Sequence, residues 1–200
     1  MTINKSSASS PGIRGEKLRQ HVLDAAERLL RDGNAAFSMR DLAAEAGVSF
    51  ATPFNQFGSK AEIMRALSGR RIDTMIERFG EAPRLAAAAD RVLLAIDVGA
   101  GVMIEEPAVN RTVMGWIGTQ SAPAGHVLSH STALWAAAIG AGEGLIEARR
   151  DQALRVLPRQ LAFGFRGVLS FWTAGELSDE ALAADAHEVA RALLAGFVEA

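Results

Sequence analysis

The chain contains no cysteine and no tyrosine, and its four histidines stand apart at positions 21, 126, 130 and 187. Without cysteine there is no disulfide framework, no thiolate zinc site and no cysteine nucleophile. His126 and His130 share a helical face four residues apart, a spacing that can ligate a metal, but no carboxylate accompanies them in sequence. Neither a metal nor a cofactor is therefore expected. Long apolar runs are also missing. The longest, Val92–Ile104, is interrupted by Asp97, and a membrane helix needs ~20 apolar residues. The opening MTINKSSASSPGIRG is polar and serine-rich, without the apolar stretch of a secretory signal. Residues 1–15 predict a disordered arm, and the chain as a whole predicts a cytoplasmic protein with no membrane partner.

What is present is 200 residues, 49% of them hydrophobic. That is one or two domains, long enough to bury a core without covalent staples. A net charge of −2 looks wrong for a nucleic-acid partner. The charge is uneven, however. Residues 1–78 carry 12 Lys+Arg against 9 Asp+Glu, whereas residues 79–200 carry 9 against 14. A mildly basic front joined to an acidic back suggests a nucleic-acid-facing segment attached to a different module.

The basic segment has a definite pattern. Leu18, Val22, Ala25, Ala26 and Leu29 follow helical spacing and end at the stop signal Asp32-Gly33-Asn34. Ser38 is then a good N-cap, with Asp41 in the capping-box position and Phe37 and Leu42 placed for a hydrophobic staple. Met39, Leu42, Ala43 and Ala46 form the stripe expected to be buried. Gly47 ends this helix in a left-handed conformation, Val48 returns to the core, and Ser49 or Thr52 caps a short third helix. This is the helix-turn-helix pattern, whose second helix enters the DNA major groove. The same local pattern also fits an ordinary helical hairpin in a bundle.

The stretch VLDAAERLLRDGNAAFSMRDLAAEAGVS, followed by Phe54, Phe57 and GSKAEIMRAL, resembles the DNA-binding head of the TetR family of bacterial transcriptional regulators. The resemblance covers about a quarter of the chain, from Val22 to Leu67. It implies that Ser38 and Arg40 meet phosphates, that Ser49 to Gln56 form the recognition segment, and that Lys60 binds phosphate together with nearby backbone N–H groups. Phe50, Ala51, Thr52, Asn55 and Gln56 are the candidates for base edges, with phosphate as the alternative for Asn55 and Gln56. Two positions depart from the family pattern. Phe54 stands where a tyrosine would hydrogen-bond a phosphate, and Pro53 replaces an aliphatic residue. Proline at the first helical position is welcome, whereas further in it removes a donor, so the third helix is expected to be short, with a tightened or delayed start.

After the head, helical spacing continues over 59–79, 85–105, 107–118, 127–140, from near Pro158 to 174, and from 180 to 197, with Ser121–Gly125 as a loop. No strand alternation is present. The fold class is all-α, with about nine helices: a three-helix head over 16–78, its helix-turn-helix at about 39–58, and a helical bundle over 79–200. Several bundle helices are apolar around much of their circumference, which requires burial against one another, against a second subunit or around a cavity. The resemblance implies that this bundle binds a small-molecule effector and forms a homodimer through its last two helices. By that analogy Met103, Trp116, Trp135 and Phe163 are effector-pocket candidates. Asp97, alone in an apolar run, either faces solvent or lines a pocket for a polar or cationic group, and Asn110 and Arg111 read as surface residues, the alternative being contact with an anionic effector.

These features point to a ligand-responsive regulator, a repressor that binds palindromic double-stranded DNA as a dimer and is released by its effector. The rival readings are an enzyme using the helical cavity and a small-molecule-binding protein with a non-functional head. Against an enzyme, the sequence shows no nucleophile–base pair, no catalytic residue pattern, and no strand before Gly140-Gly142-Gly144 to make a phosphate-cradling loop.

Overall fold

The computed structural model describes residues 11–117 and 126–199, and within them the regular structure is helical throughout. The elements are α1 (Pro11–Arg31), α2 (Met39–Glu45), α3 (Ala51–Phe57), α4 (Lys60–Glu81), α5 (Ala88–Ile104), α6 (Pro107–Ile117), α7 (His126–Ile139), α8 (Arg150–Thr173) and α9 (Ala181–Leu194), with a single 3₁₀ turn, Glu147–Arg149, before α8. The all-α class and the nine helices agree with the sequence reading. The loop expected at Ser121–Gly125 and most of the expected N-terminal arm lie outside the described residues, and α1 begins at Pro11. The chain divides into two units, Met1–Ile63 and Met64–Ala200, the division falling inside α4.

In the first unit the local chemistry does what the sequence calls for. Ser38 caps α2, its hydroxyl accepting from the Asp41 N–H while the Asp41 carboxylate accepts from the Ser38 N–H at 2.8 Å. The Ser38 N–H, with the Ser38 hydroxyl donating to the same carboxylate oxygen at 2.9 Å, holds the Asp41 carboxyl below the usual carboxylate range. At the other end Gly47 has φ +62°, and the N–H groups of Gly47 and Val48 reach back to the carbonyls of Ala44 and Ala43. That pair of bonds satisfies carbonyls the helix would otherwise leave bare. Leu42, Ala43 and Ala46 are buried with Phe37; Met39 is only half-buried.

The second unit is built around α8, which packs against α6, α7 and α9, while α5 packs against α7 and α9. Ala153, Leu157, Leu161, Phe165, Leu169 and Trp172 form its buried stripe. Two expectations are corrected here. Helix α8 starts at Arg150, so Pro158 lies inside it and not near its start. An interior proline costs about 3 kcal/mol, and the burial of the stripe on either side offsets it. The carbonyl that loses its donor is that of Leu154, an exposed residue, where water can serve. Asn110 is not on the surface either: it is 1% exposed, donates to the Val102 and Met103 carbonyls and accepts from Arg71 Nε at 2.8 Å. It thereby caps the end of α5, whose last carbonyls have no helical donor. Its neighbour Arg111 donates to Asp179 at 2.6 Å and lies 4.4 Å from the Trp172 ring.

One close approach fixes the crossing of α8 and α9. A Cβ on Gly164 would sit 2.7 Å from Val189 Cγ1 and 3.3 Å from Leu193 Cδ1. Gly164→Ala gains about 1 kcal/mol of helix propensity but overpacks a site where the β-branched Val189 cannot rotate freely, at about 1–3 kcal/mol. The clash is expected to win by about 1 kcal/mol, lowering the denaturant midpoint at constant slope. Adding Val189→Ala should recover most of the loss. An unchanged midpoint in Gly164→Ala would show that α9 can move aside.

Candidate nucleic-acid interface and an apolar cavity

The head is tied together by side chains of α1 that reach the C-terminal ends of the two short helices. Arg28 donates to Glu45 Oε1 at 2.6 Å and His21 Nε2 to the Ala46 carbonyl at 2.8 Å, both at the end of α2. Arg19 donates to the Gln56 carbonyl at 2.7 Å and lies 4.1 Å from the Phe57 ring, at the end of α3. Cationic and N–H donor groups belong at helix C-termini, where carbonyls lack partners. The sequence reading missed these three ties, because only the fold brings α1 beside both helix ends.

Pro53 is accommodated without loss. Helix α3 starts at Ala51, its N-cap is Phe50, and neither Ser49 nor Thr52 supplies a side-chain cap. Pro53 is thus the third helical residue, within the first turn, where an N–H would have had no helical acceptor anyway. The hydroxyls of Ser49 and Thr52 pair with each other at 2.8 Å. What the short helix presents outward is apolar and polar together: Phe50 is 55% exposed and Phe54 41%, their rings edge-to-face at 5.4 Å. Ser49, Ala51 and Asn55 are exposed beside them, Thr52 and Gln56 are half-buried, and Pro53 and Phe57 face inward. The exposed Arg40 guanidinium stands 5.7 Å from the Phe50 ring. Arg40 and the residues of the 49–56 segment therefore share one surface.

Lys60 is placed differently from a phosphate contact. Its ammonium donates to the Ala35 carbonyl at 2.7 Å and the Phe37 carbonyl at 2.8 Å, and lies 4.0 Å from the Phe37 ring. Burial there pushes the amine below the usual lysine value. Lys60 fastens the α1–α2 connection, and Ser38 is engaged in its own capping box.

Residues 22–67 match the family model described as bacterial regulatory proteins, tetR family. The chain carries a TetR-family head. The match spans the helix-turn-helix region, from within α1 to the first turns of α4. The fold of the whole chain is shared with solved TetR structures. A TetR transcriptional regulator from Rhodococcus sp. RHA1 aligns with TM-score 0.72 and 23% identity over 90% of this chain and 97% of that one. A TetR-like regulator from the same organism gives 0.56 and 24% over 90% and 96%. The TetR family repressor AlkX from Dietzia sp. strain DQ12-45-1b, implicated in biodegradation of n-alkanes, gives 0.57 and 20% over 90% and 97%. No curated protein matches the chain.

Within the second unit lies a cavity of about 270 Å³ between α4, α6, α7 and α8, with Met75, Met103, Met114, Leu134, Trp135 and Leu169 among its walls. Of the expected pocket residues it gathers Met103, Trp135 and Phe163; Trp116 and Asp97 are not in its wall. Asp97 is exposed and its carboxylate lies 3.0 Å from His187 Nε2, so the solvent-facing alternative describes it. The charged groups at the cavity are instead Arg71 and Arg166. Arg166 stands in FGFRGVL, an apolar helical run interrupted by one charge, the same signal that singled out Asp97. His130 Nε2 donates to Asp73 Oδ1 at 2.8 Å; the side chain of His126 lies outside the described ones. Among the described residues no group of three or more His, Asp or Glu is placed to hold a metal. No helix among them is long and apolar enough to cross a membrane.

Proposed function

We propose that this TetR-type regulator is a cytoplasmic repressor, a homodimer joined through α8 and α9 that binds a palindromic operator and leaves it when a small molecule occupies the α4–α8 cavity. Residues 16–78 serve as the DNA-binding domain and 79–200 as the effector and dimerisation domain, with no catalytic role. The observation that carries the reading is the outward face of α3, where Phe50, Phe54 and Asn55 stand beside Arg40 on a helix too short to be stable alone. Exposed aromatic rings are suited to thymine methyls, asparagine and glutamine to adenine edges, and arginine to phosphate or guanine. Ser49, Ala51, Thr52 and Gln56 complete the base-facing set. Phe54 supplies a ring without the hydroxyl of the family's tyrosine, so its contribution is packing.

An effector acts only through different affinities for the DNA-competent and DNA-incompetent conformations. The test is a mobility shift of DNA from upstream of the protein's own gene at low salt. The folded chain should bind it, and Arg40→Ala should weaken binding about tenfold with an unchanged melting temperature. Absence of any shift by a folded wild-type preparation would overturn the regulator reading.

A further inference from the structure

We propose that the cavity takes a compact, mostly apolar molecule bearing one carboxylate, with the carboxylate held by Arg166 and the apolar body lying along Trp135 and the methionines. The proposal deepens the effector reading above and rests on it. Two features of the cavity converge on this chemistry.

The first is size and surface. At about 270 Å³ the space lies just below the usual range for drug-sized ligands, ~300–1,000 Å³, and its walls are dominated by methionine, leucine, phenylalanine and tryptophan. Methionine-rich walls adapt to irregular apolar shapes.

The second is the sign of its polar groups. Arg71 and Arg166 are cationic, Ser68 and Ser131 are hydroxyls that serve either way, and no carboxylate is present among the described lining residues. Arg71 is held by Asn110 at 2.8 Å, with Glu106 3.9 Å away. Arg166 differs. Its guanidinium is half-buried, and its contacts are the Met114 sulfur at 3.6 Å and the Met114 carbonyl at 3.4 Å, both long and both neutral. Burial pushes it below the usual arginine value. Arg78, Arg91 and Arg111 in the same unit each meet a carboxylate directly. A guanidinium withdrawn from water beside an apolar space calls for an anion in that space, and its planar fork matches a carboxylate's two oxygens.

The sign of these groups also disfavours a cationic ligand, since the two guanidinium groups would repel an amine.

Titration calorimetry on the full-length chain tests this with octanoate, 4-phenylbutanoate, 1-octanol and octylamine as probes. At least one carboxylate should bind with a Kd tighter than about 1 mM, 1-octanol about tenfold or more weakly, and octylamine not at all. Arg166→Met should cost the carboxylate about tenfold or more while leaving the 1-octanol affinity in place, which also shows the cavity to be intact. The proposal is overturned if neither carboxylate binds, if alcohol or amine binds as well as the acids, or if Arg166→Met leaves carboxylate affinity unchanged. Mobility shifts on the same preparations separate the two levels. DNA released by 1-octanol and not by acids would keep the regulator and remove the carboxylate. A chain that binds acids but no DNA would do the reverse.

Discussion

Trp172→Ala is expected to destabilise the helical body by about 4 kcal/mol, a substantial fraction of the stability of a domain this size. Trp172 is fully buried at the end of α8 and does three jobs at once. Its ring fills core volume, its N–H donates to Asp179 Oδ1 at 2.8 Å, and its carbonyl accepts from Arg111 Nε at 3.1 Å while Arg111 stacks over the ring. Truncation removes the ring's burial and leaves a cavity, and it strips Asp179 of one of two donors. Trp172→Phe keeps most of the volume and loses the N–H, so it should cost less than half as much. Chemical denaturation of both variants checks this. Equal losses would mean that the Asp179 bond, not the packing, holds the corner.

Lys60→Met is expected to destabilise the head by about 2–3 kcal/mol and to reduce operator affinity more than tenfold. Two charge-assisted bonds, one to the exposed Ala35 carbonyl and one to the part-buried Phe37 carbonyl, contribute about 1.5–3 kcal/mol each at most, and exposure lowers that. The methionine retains apolar contact with Phe37 but cannot donate, so the Ala35 and Phe37 carbonyls lose their ammonium. The measurement is amide exchange across α2 in the full chain, beside a mobility shift. A residue that only touched phosphate would lower DNA affinity and leave exchange unchanged, and that result would refute the clasp.

The head was readable because its signals are short-range. Ser38 to Asp41 spans one turn, Gly47 needs only a local positive φ, and the staple and stop residues lie within a few positions of the bonds they make. What the sequence hid depended on distant partners. Lys60 carries the same charge whether it meets a phosphate or the carbonyl of Ala35, 25 residues away. Pro158 reads as a boundary by its own chemistry, and only the packing of Leu157 and Leu161 shows why a helix runs through it. Asn110 looks like a surface amide until the end of α5 is beside it. The cavity was half legible: Met103, Trp135 and Phe163 were named as apolar candidates, but the charged residue was sought at Asp97, whereas the charged residues in the wall are Arg71 on α4 and Arg166 on α8.

The ties within the head have a further consequence. Arg19, Arg28 and Lys60 spend their charges on the molecule's own carbonyls and on Glu45. Cations so engaged are poor at displacing the ion atmosphere that surrounds a duplex, and that displacement is what drives indiscriminate attachment to DNA. The basic excess of residues 1–78 therefore overstates the head's grip on arbitrary sequence. A head built this way is expected to hold arbitrary DNA weakly, which leaves any selectivity to the side chains exposed on α3.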